Sequence, residues 1–233
     1  MYFIVRGRPL RILFAVLRIG IAVAVIAAVV GQLNTSLSYW AEKGVEHVWI
    51  SVVNFFSFFT IESNVATVAV GLVGAYFLLA RKGEDPRWFN CFRLGVVTYM
   101  ATTGIVYNLL LRGIELPQGA TLGWSNEILH VVAPIYMIVD WIFAPGRKPL
   151  EWKAIWGVVV FPIVWAVYTL IRGPFTPDEV YGKSVWYPYP FLNPTLSQNG
   201  YLSVAFYVVL IAAVIGLVAA GAIWVSRRRK ATV

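Results

Sequence analysis

Six long apolar runs, each near the ~20 residues that a bilayer core requires, divide this chain. They cover about Leu10–Leu33, Ile50–Ala80, Phe89–Leu111, Leu122–Ala144, Trp152–Ile171 and Gly200–Val225. With 59% hydrophobic and only 13% charged residues among 233, the remainder lacks the charged surface that a soluble domain needs. Barrel strands would be short and alternate with polar positions, and these runs are too long and continuous for that. The expected fold is therefore all-α and integral to a membrane: one domain over residues 1–233, a bundle of six transmembrane helices. Arg6, Arg8 and Arg11 precede the first run as they would a secretion signal. Its apolar part is longer than a signal core and has no convincing small-residue cleavage site, so it counts as the first span.

Charge then orients the bundle. Arg6, Arg8 and Arg11, then Arg81, Lys82, Arg87 and Arg93, then Arg147, Lys148 and Lys153, and finally Arg227, Arg228, Arg229 and Lys230 fall in alternate segments. The other connections hold only Lys43, Arg112, Arg172 and Lys183, with Arg18 inside a span. By the positive-inside tendency both termini and the two short basic loops are expected in the cytoplasm. The net charge of +8 then reflects topology and attraction to anionic lipid heads of the cell membrane, rather than binding of nucleic acid. Cys91 is the single cysteine, which excludes an internal disulfide or a thiolate metal cage. No metal or other cofactor is expected, and bis-histidine haem ligation fails because His130 has no histidine partner within the spans.

Two outer connections are longer than the rest. One is Asn34–Trp49, which holds His47 in a solvated setting. The other, residues 172–199, carries five prolines that exclude a regular helix through most of it. Trp186, Tyr187, Tyr189 and Phe191 in that segment suit a membrane interface. They serve either as an anchor there or as a cap over the outer mouth of the bundle.

Polar residues within the second run raise the question of function. At ~100° per residue, Thr60, Ser63, Asn64 and Thr67 share one helix side, continued by Gly71 and Gly74. Small residues on such a stripe admit a neighbouring helix closely. Interhelical hydrogen bonding alone explains hydroxyls of this kind, but His130 changes the weighing. It lies inside the fourth run, with Asn126 one turn before it and Pro134 one turn after, and ionisable groups at such depth usually face a cavity or a partner. Pro134 lacks an N–H, which frees the His130 carbonyl. Counted from the outer ends of their runs, Thr60 and His130 lie ~15 Å and ~12 Å deep, so they can meet if the second and fourth helices pack together. A hydroxyl beside an imidazole is the minimal nucleophile–base pair. Asn64, Asn126 and Asn108 are the candidate oxyanion donors or orienting groups.

Three stretches, "FFTIESN", "WSNEILHVVAP" and "VWYPYPFL", resemble the signatures of the androgen-induced-gene family, six-helix membrane proteins with many bacterial relatives. Animal members are intramembrane threonine hydrolases that cleave fatty acid esters of hydroxy fatty acids. The resemblance implies Thr60 as nucleophile, His130 as general base, and Tyr189, Pro190, Phe191 and Leu192 as the family's aromatic segment. Animal members often carry a second histidine where this chain has Glu127. The expected activity is hydrolysis of a lipid ester drawn from the membrane, in the extracytoplasmic half. Ser63, Trp186, Tyr187, Tyr189 and Phe191 are expected around the substrate.

Glu62 stands ~200° round the helix from Thr60 and needs a proton or a cation at that depth. The favoured expectation is a structural ion pair among Arg18, Glu62 and Asp140, with a proton relay as the minor alternative. Two rival functions remain open. A transporter or channel would use those ionisable groups along a path but predicts broken-helix repeats, and none is evident. A non-catalytic lipid-binding protein would have Thr60 and His130 simply bonded to each other.

Overall fold

The computed structural model describes residues 7–228. Arg6, Arg229 and Lys230, which entered the charge count above, lie outside the described residues. Six helices are long and apolar enough to cross a membrane: Arg8–Glu42, Phe59–Ala80, Arg87–Leu111, Gly123–Phe143, Ala154–Phe175 and Tyr201–Arg228. Among the described residues the only extended pairing is a single antiparallel bridge, Asp178 with Lys183.

In chain order the elements are α1 (Arg8–Glu42), α2 (Val48–Phe56), α3 (Phe59–Ala80), α4 (Arg87–Val106), α5 (Gly123–Glu127), α6 (Ala133–Phe143), α7 (Ala154–Arg172) and α8 (Tyr201–Arg228). A π-helical turn, Tyr107–Leu111, prolongs α4, and another, Ile128–Val132, joins α5 to α6 into one span. The α4 helix is the axis of the bundle, packed on α3, α6, α7 and α8, while α1 lies along α3. The α7 helix leaves Trp156, Val160, Ile163, Val164 and Val167 exposed along one apolar face.

Two boundaries depart from the sequence expectation. The first helix does not stop at Leu33 but continues to Glu42, so most of the expected Asn34–Trp49 loop is helical. The extension has something to bind. Gln32 donates to the Ala120 carbonyl at 2.8 Å and accepts from the Leu122 N–H at 2.9 Å, and the Trp40 indole donates to the Gln118 carbonyl at 3.0 Å. The second run, expected to be one helix over Ile50–Ala80, is broken at Ser57 and Phe58.

The α1–α3 contact explains the two glycines of the small-residue stripe. A Cβ at Gly71 would come within 2.8 Å of the Arg18 carbonyl, and one at Gly74 within 2.5 Å of the Arg18 guanidinium and 2.9 Å of the Phe89 ring. Both positions therefore leave room for Arg18 to reach across. Its Nε donates to Asp140 Oδ1 at 2.9 Å and its Nη2 to Oδ2 at 3.2 Å. Arg93 of α4 donates to the same carboxylate at 2.9 Å, and to the Asp140 carbonyl at 2.6 Å. All three side chains are buried. The expected pairing thus takes Arg18 and Asp140, but its third member is Arg93 rather than Glu62. Glu62 lies at the opposite end of α3 from the glycines and on another face, out of reach of the cluster. In sequence Arg93 lies close to the end of its run, which alone places it among the basic loop charges.

Residues 172–199 fold back onto the bundle end where α3 begins. Trp186 and Tyr189 each meet the Phe58 ring edge-on, at 5.8 and 5.7 Å. Arg172 donates to Asn54 Oδ1 at 2.7 Å with its guanidinium 5.4 Å from the Trp186 ring. Trp186, Tyr187 and Tyr189 are all buried by this packing.

Replacing Asp140 by Ala strips two buried guanidiniums of their shared counter-charge. Removing one partner of a buried ion pair costs about 3–5 kcal/mol, so a markedly lower thermal unfolding midpoint in detergent is expected. An unchanged midpoint would show that the cluster does not hold the bundle together.

Candidate active site

Thr60 owes its position to the break before α3. Ser57 turns its hydroxyl back to the Val53 carbonyl at 2.7 Å, the i−4 bond that weakens a helix from within. From α7, the Trp165 indole donates to the Ser57 carbonyl at 3.0 Å, and the Tyr168 hydroxyl pairs with the Ser57 hydroxyl at 2.9 Å. Phe58 is then extended, with φ −70° and ψ 129°, and α3 starts without a side-chain cap. Thr60 is consequently in the first turn of a 22-residue helix, where backbone N–H groups lack helical acceptors and the helix dipole is positive. Tyr189 meets that end. Its hydroxyl oxygen accepts the Thr60 N–H at 3.2 Å and lies 3.3 Å from Thr60 Oγ1. Burial pushes the Tyr189 phenol up to about 12, with the bonds from Thr60 opposing, so it keeps its proton and can donate.

His130 sits in the π turn ahead of Pro134, a distortion frequent at functional sites. Its Nδ1 is 3.0 Å from the Asn126 carbonyl. A carbonyl only accepts, so Nδ1 must carry the hydrogen, which leaves Nε2 with a free lone pair as a proton acceptor. The imidazole is stacked on Tyr107 at 3.9 Å between ring centres and 23° between planes. The Tyr107 hydroxyl accepts from the Asn126 amide, closing a circuit of Asn126, His130 and Tyr107. Arg112 lies 5.2 Å from the Tyr107 ring and donates to both Glu127 oxygens, at 2.8 and 3.2 Å. Glu127 is thus a surface partner for Arg112.

Two cavities meet at Thr60. A small one of about 40 Å³ is lined by Thr60, His130, Asn126, Tyr189 and Gln32 among others, and has room for roughly one or two waters. A larger one of about 360 Å³ has Thr60, Thr102, Thr103 and Tyr189 on one wall and α7 and α8 on the other, including Pro162 and Ile211. Its lining is otherwise apolar. Thr60 and His130 share the small cavity without a hydrogen bond between them; in this state Thr60 Oγ1 is shared with Tyr189.

The remaining candidates divide. Asn126 lines the small cavity, while Asn64 and Asn108 line neither of the two. Asn64 donates to the carbonyls of Thr60 at 2.9 Å and Leu129 at 3.1 Å, tying the nucleophile candidate's backbone to the helix of His130. Asn108 is exposed and donates to the Gly104 carbonyl at 2.8 Å and to the His130 carbonyl freed by Pro134 at 3.4 Å. Ser63 bonds the Thr60 carbonyl at 3.1 Å and the Thr103 hydroxyl at 3.3 Å and faces neither cavity. Tyr189 and Phe191 line the larger cavity, whereas Trp186 and Tyr187 are consumed in seating the loop. Ser63, Asn64, Asn108, Trp186 and Tyr187 therefore line neither of the two cavities. The sequence reading missed Tyr107, Gln32 and the start of α3. Tyr107 beside Asn108 on an apolar helix was a weak signal, and the helix break carried none, because no Gly or Pro marks it.

No protein-family model matches this chain, and no curated protein or solved structure is similar to it.

The Nδ1 contact has a spectroscopic consequence. In protein labelled with ¹⁵N-histidine, the neutral His130 ring is expected as the Nδ1–H form, with Nε2 at the shift of an unprotonated nitrogen. The opposite tautomer would leave no base facing the small cavity.

Proposed function

We propose that this chain is a six-span membrane protein that hydrolyses lipid esters, with Thr60 as nucleophile and His130 as general base. The observation that carries the reading is the place of Thr60. It borders both a small cavity that His130, Asn126 and Gln32 reach and a larger, mostly apolar cavity of a size suited to part of a lipid. The resemblance to androgen-induced-gene threonine hydrolases points the same way, and fatty acid esters of hydroxy fatty acids are the substrate class it implies. By the charge asymmetry both termini face the cytoplasm of a cell membrane, and the site opens in the extracytoplasmic half.

In this mechanism an ester enters sideways between α7 and α8 and lays an apolar chain in the large cavity. Thr60 Oγ1 exchanges its bond with Tyr189 for one to His130 Nε2, directly or through a water; catalytic hydrogen bonds commonly tighten only with substrate bound. The hydroxyl proton passes to Nε2 as Oγ1 attacks the carbonyl carbon. The oxyanion forms at the positive end of α3, where the Thr60 N–H, released as Tyr189 shifts, and the Tyr189 hydroxyl offer donors. Collapse expels the alcohol, which takes the proton from His130. A water in the small cavity then gives a proton to Nε2 and attacks the acyl-Thr60 ester, releasing the acid and restoring both side chains.

The transport reading finds less support. Arg18 and Asp140 are locked in a closed ion cluster with Arg93, Glu62 faces a cavity of its own, and His130 faces a third space. These groups do not line one path.

A fluorophosphonate probe is expected to label the purified protein, with labelling abolished in Thr60→Ala and His130→Ala. Turnover of a lipid-ester panel should fall by about 10²–10⁴ in His130→Ala, the usual worth of a general base. Labelling that survives both substitutions would remove the hydrolase assignment.

A further inference from the structure

Beyond the Thr60 cavities lies an open groove of about 570 Å³ between α3, α4 and α7, with Phe56 of α2 at its edge. Its walls are Ile61, Val65 and Ala66 of α3, Cys91, Phe92 and Gly95 of α4, and Ala154, Gly157 and Phe161 of α7, with Glu62 and Tyr99 beside them. Contacting rings divide it from the larger Thr60 cavity: Phe59 meets Tyr99, Phe161 and Trp165 at 5.9, 5.6 and 5.2 Å. It is a separate space, within the 300–1,000 Å³ typical of ligand sites.

Its shape is a groove with two unlike ends. Tyr99 and Phe161, whose ring centres are 5.1 Å apart, lie at the end near the start of α3, close to Glu62. Cys91 and Ala154 lie at the other end, ~12 Å away along α4 at the helical rise. Glu62 is the one charged side chain on these walls. Among the described residues neither a hydrogen bond nor an ion pair reaches its carboxylate, and Oε2 is buried without a partner. The Tyr99 hydroxyl cannot serve it, because it donates to the Val158 carbonyl at 2.7 Å.

Lipid tails can fill the apolar part of such a groove but offer nothing to a carboxylate, which away from water needs either a proton or a cation. The occupant that satisfies both ends has a single alkyl chain and a cationic head with several N–H donors. We propose that this groove is a binding site for long-chain primary amines, with the ammonium on Glu62 and the chain running towards Cys91. The site is independent of Thr60 chemistry.

The structure supplies both a blocking variant and a reporter. A side chain at Gly157 would project into open space, so Gly157→Leu fills the groove without a clash. Cys91 is the only cysteine, so its alkylation reports on the far end. Tritiated hexadecylamine would be titrated against the full chain in phosphatidylcholine nanodiscs, with empty discs subtracted. Expected are saturable binding at one per chain, at least about tenfold weaker competition by hexadecanol and palmitic acid, and slower reaction of Cys91 with N-ethylmaleimide when the amine is bound. Glu62→Gln and Gly157→Leu should each weaken binding at least about tenfold while the protein stays monodisperse. Absence of saturable binding, equal competition by hexadecanol, unchanged Cys91 alkylation, or full binding in either variant would overturn the proposal. If Glu62→Gln does not fold, Gly157→Leu and the head-group competition decide it. Fluorophosphonate labelling of Thr60 is expected to be unaffected by Gly157→Leu, which separates failure here from failure of the hydrolase reading.

Discussion

The bundle is organised around one carboxylate. Asp140 on α6 takes hydrogen bonds from Arg18 of α1 and Arg93 of α4, and all three side chains are buried. Charges placed so deep are tolerated only when paired and bonded, so the three helices that carry them have little freedom to slide or rotate past one another. The α3 helix joins the same arrangement through what it lacks. Gly71 and Gly74 present no side chain, and Arg18 uses that space to reach Asp140. Apolar packing alone is non-directional, so this cluster fixes the register that sets the opposite end of α3 against the helix of His130.

At that opposite end the backbone departs from regular helix in three places. One is the break at Ser57 and Phe58, another the π turn Tyr107–Leu111, and the third the π turn Ile128–Val132. Two have a local physical cause: Ser57 bonds back to Val53 and is held by two α7 side chains, and Pro134 cannot donate to the His130 carbonyl. Together they gather Thr60, Tyr107, Asn126, His130 and Tyr189 into one region. Regular helices would have carried Thr60 a turn or more inside a continuous span and given its N–H to the residue four before it. With the break, that N–H meets a tyrosine from a loop 129 residues further on.

The polar stripe of α3 accordingly has a graded role along its length. Thr60 faces the cavities, Ser63 and Asn64 hold the Thr60 carbonyl, and Gly71 and Gly74 admit Arg18. Glu62 belongs to a different face and a different cavity. One helix thus serves the candidate active site, the ionic cluster and a separate groove, because sides of a helix only 100° apart per residue meet different neighbours.

What the sequence determined by itself was the number of helices and which stretches form them. Long continuous apolar runs favour helices that satisfy their own backbone, and each of the six runs contains a helix long enough to cross a membrane, the second only from Phe59. The stripe from Thr60 to Gly74 was also legible, since helical periodicity depends only on spacing. Helix ends and partners were not. The first helix gained its extension from Gln32 and Trp40 meeting a loop more than 75 residues away, and α3 lost its first turns to Trp165 and Tyr168. Arg93 took the place expected of Glu62 in the ion cluster for the same reason. A buried charge is satisfied by whichever group the packing brings within about 3 Å, and that distance exists only once the helices have taken their places.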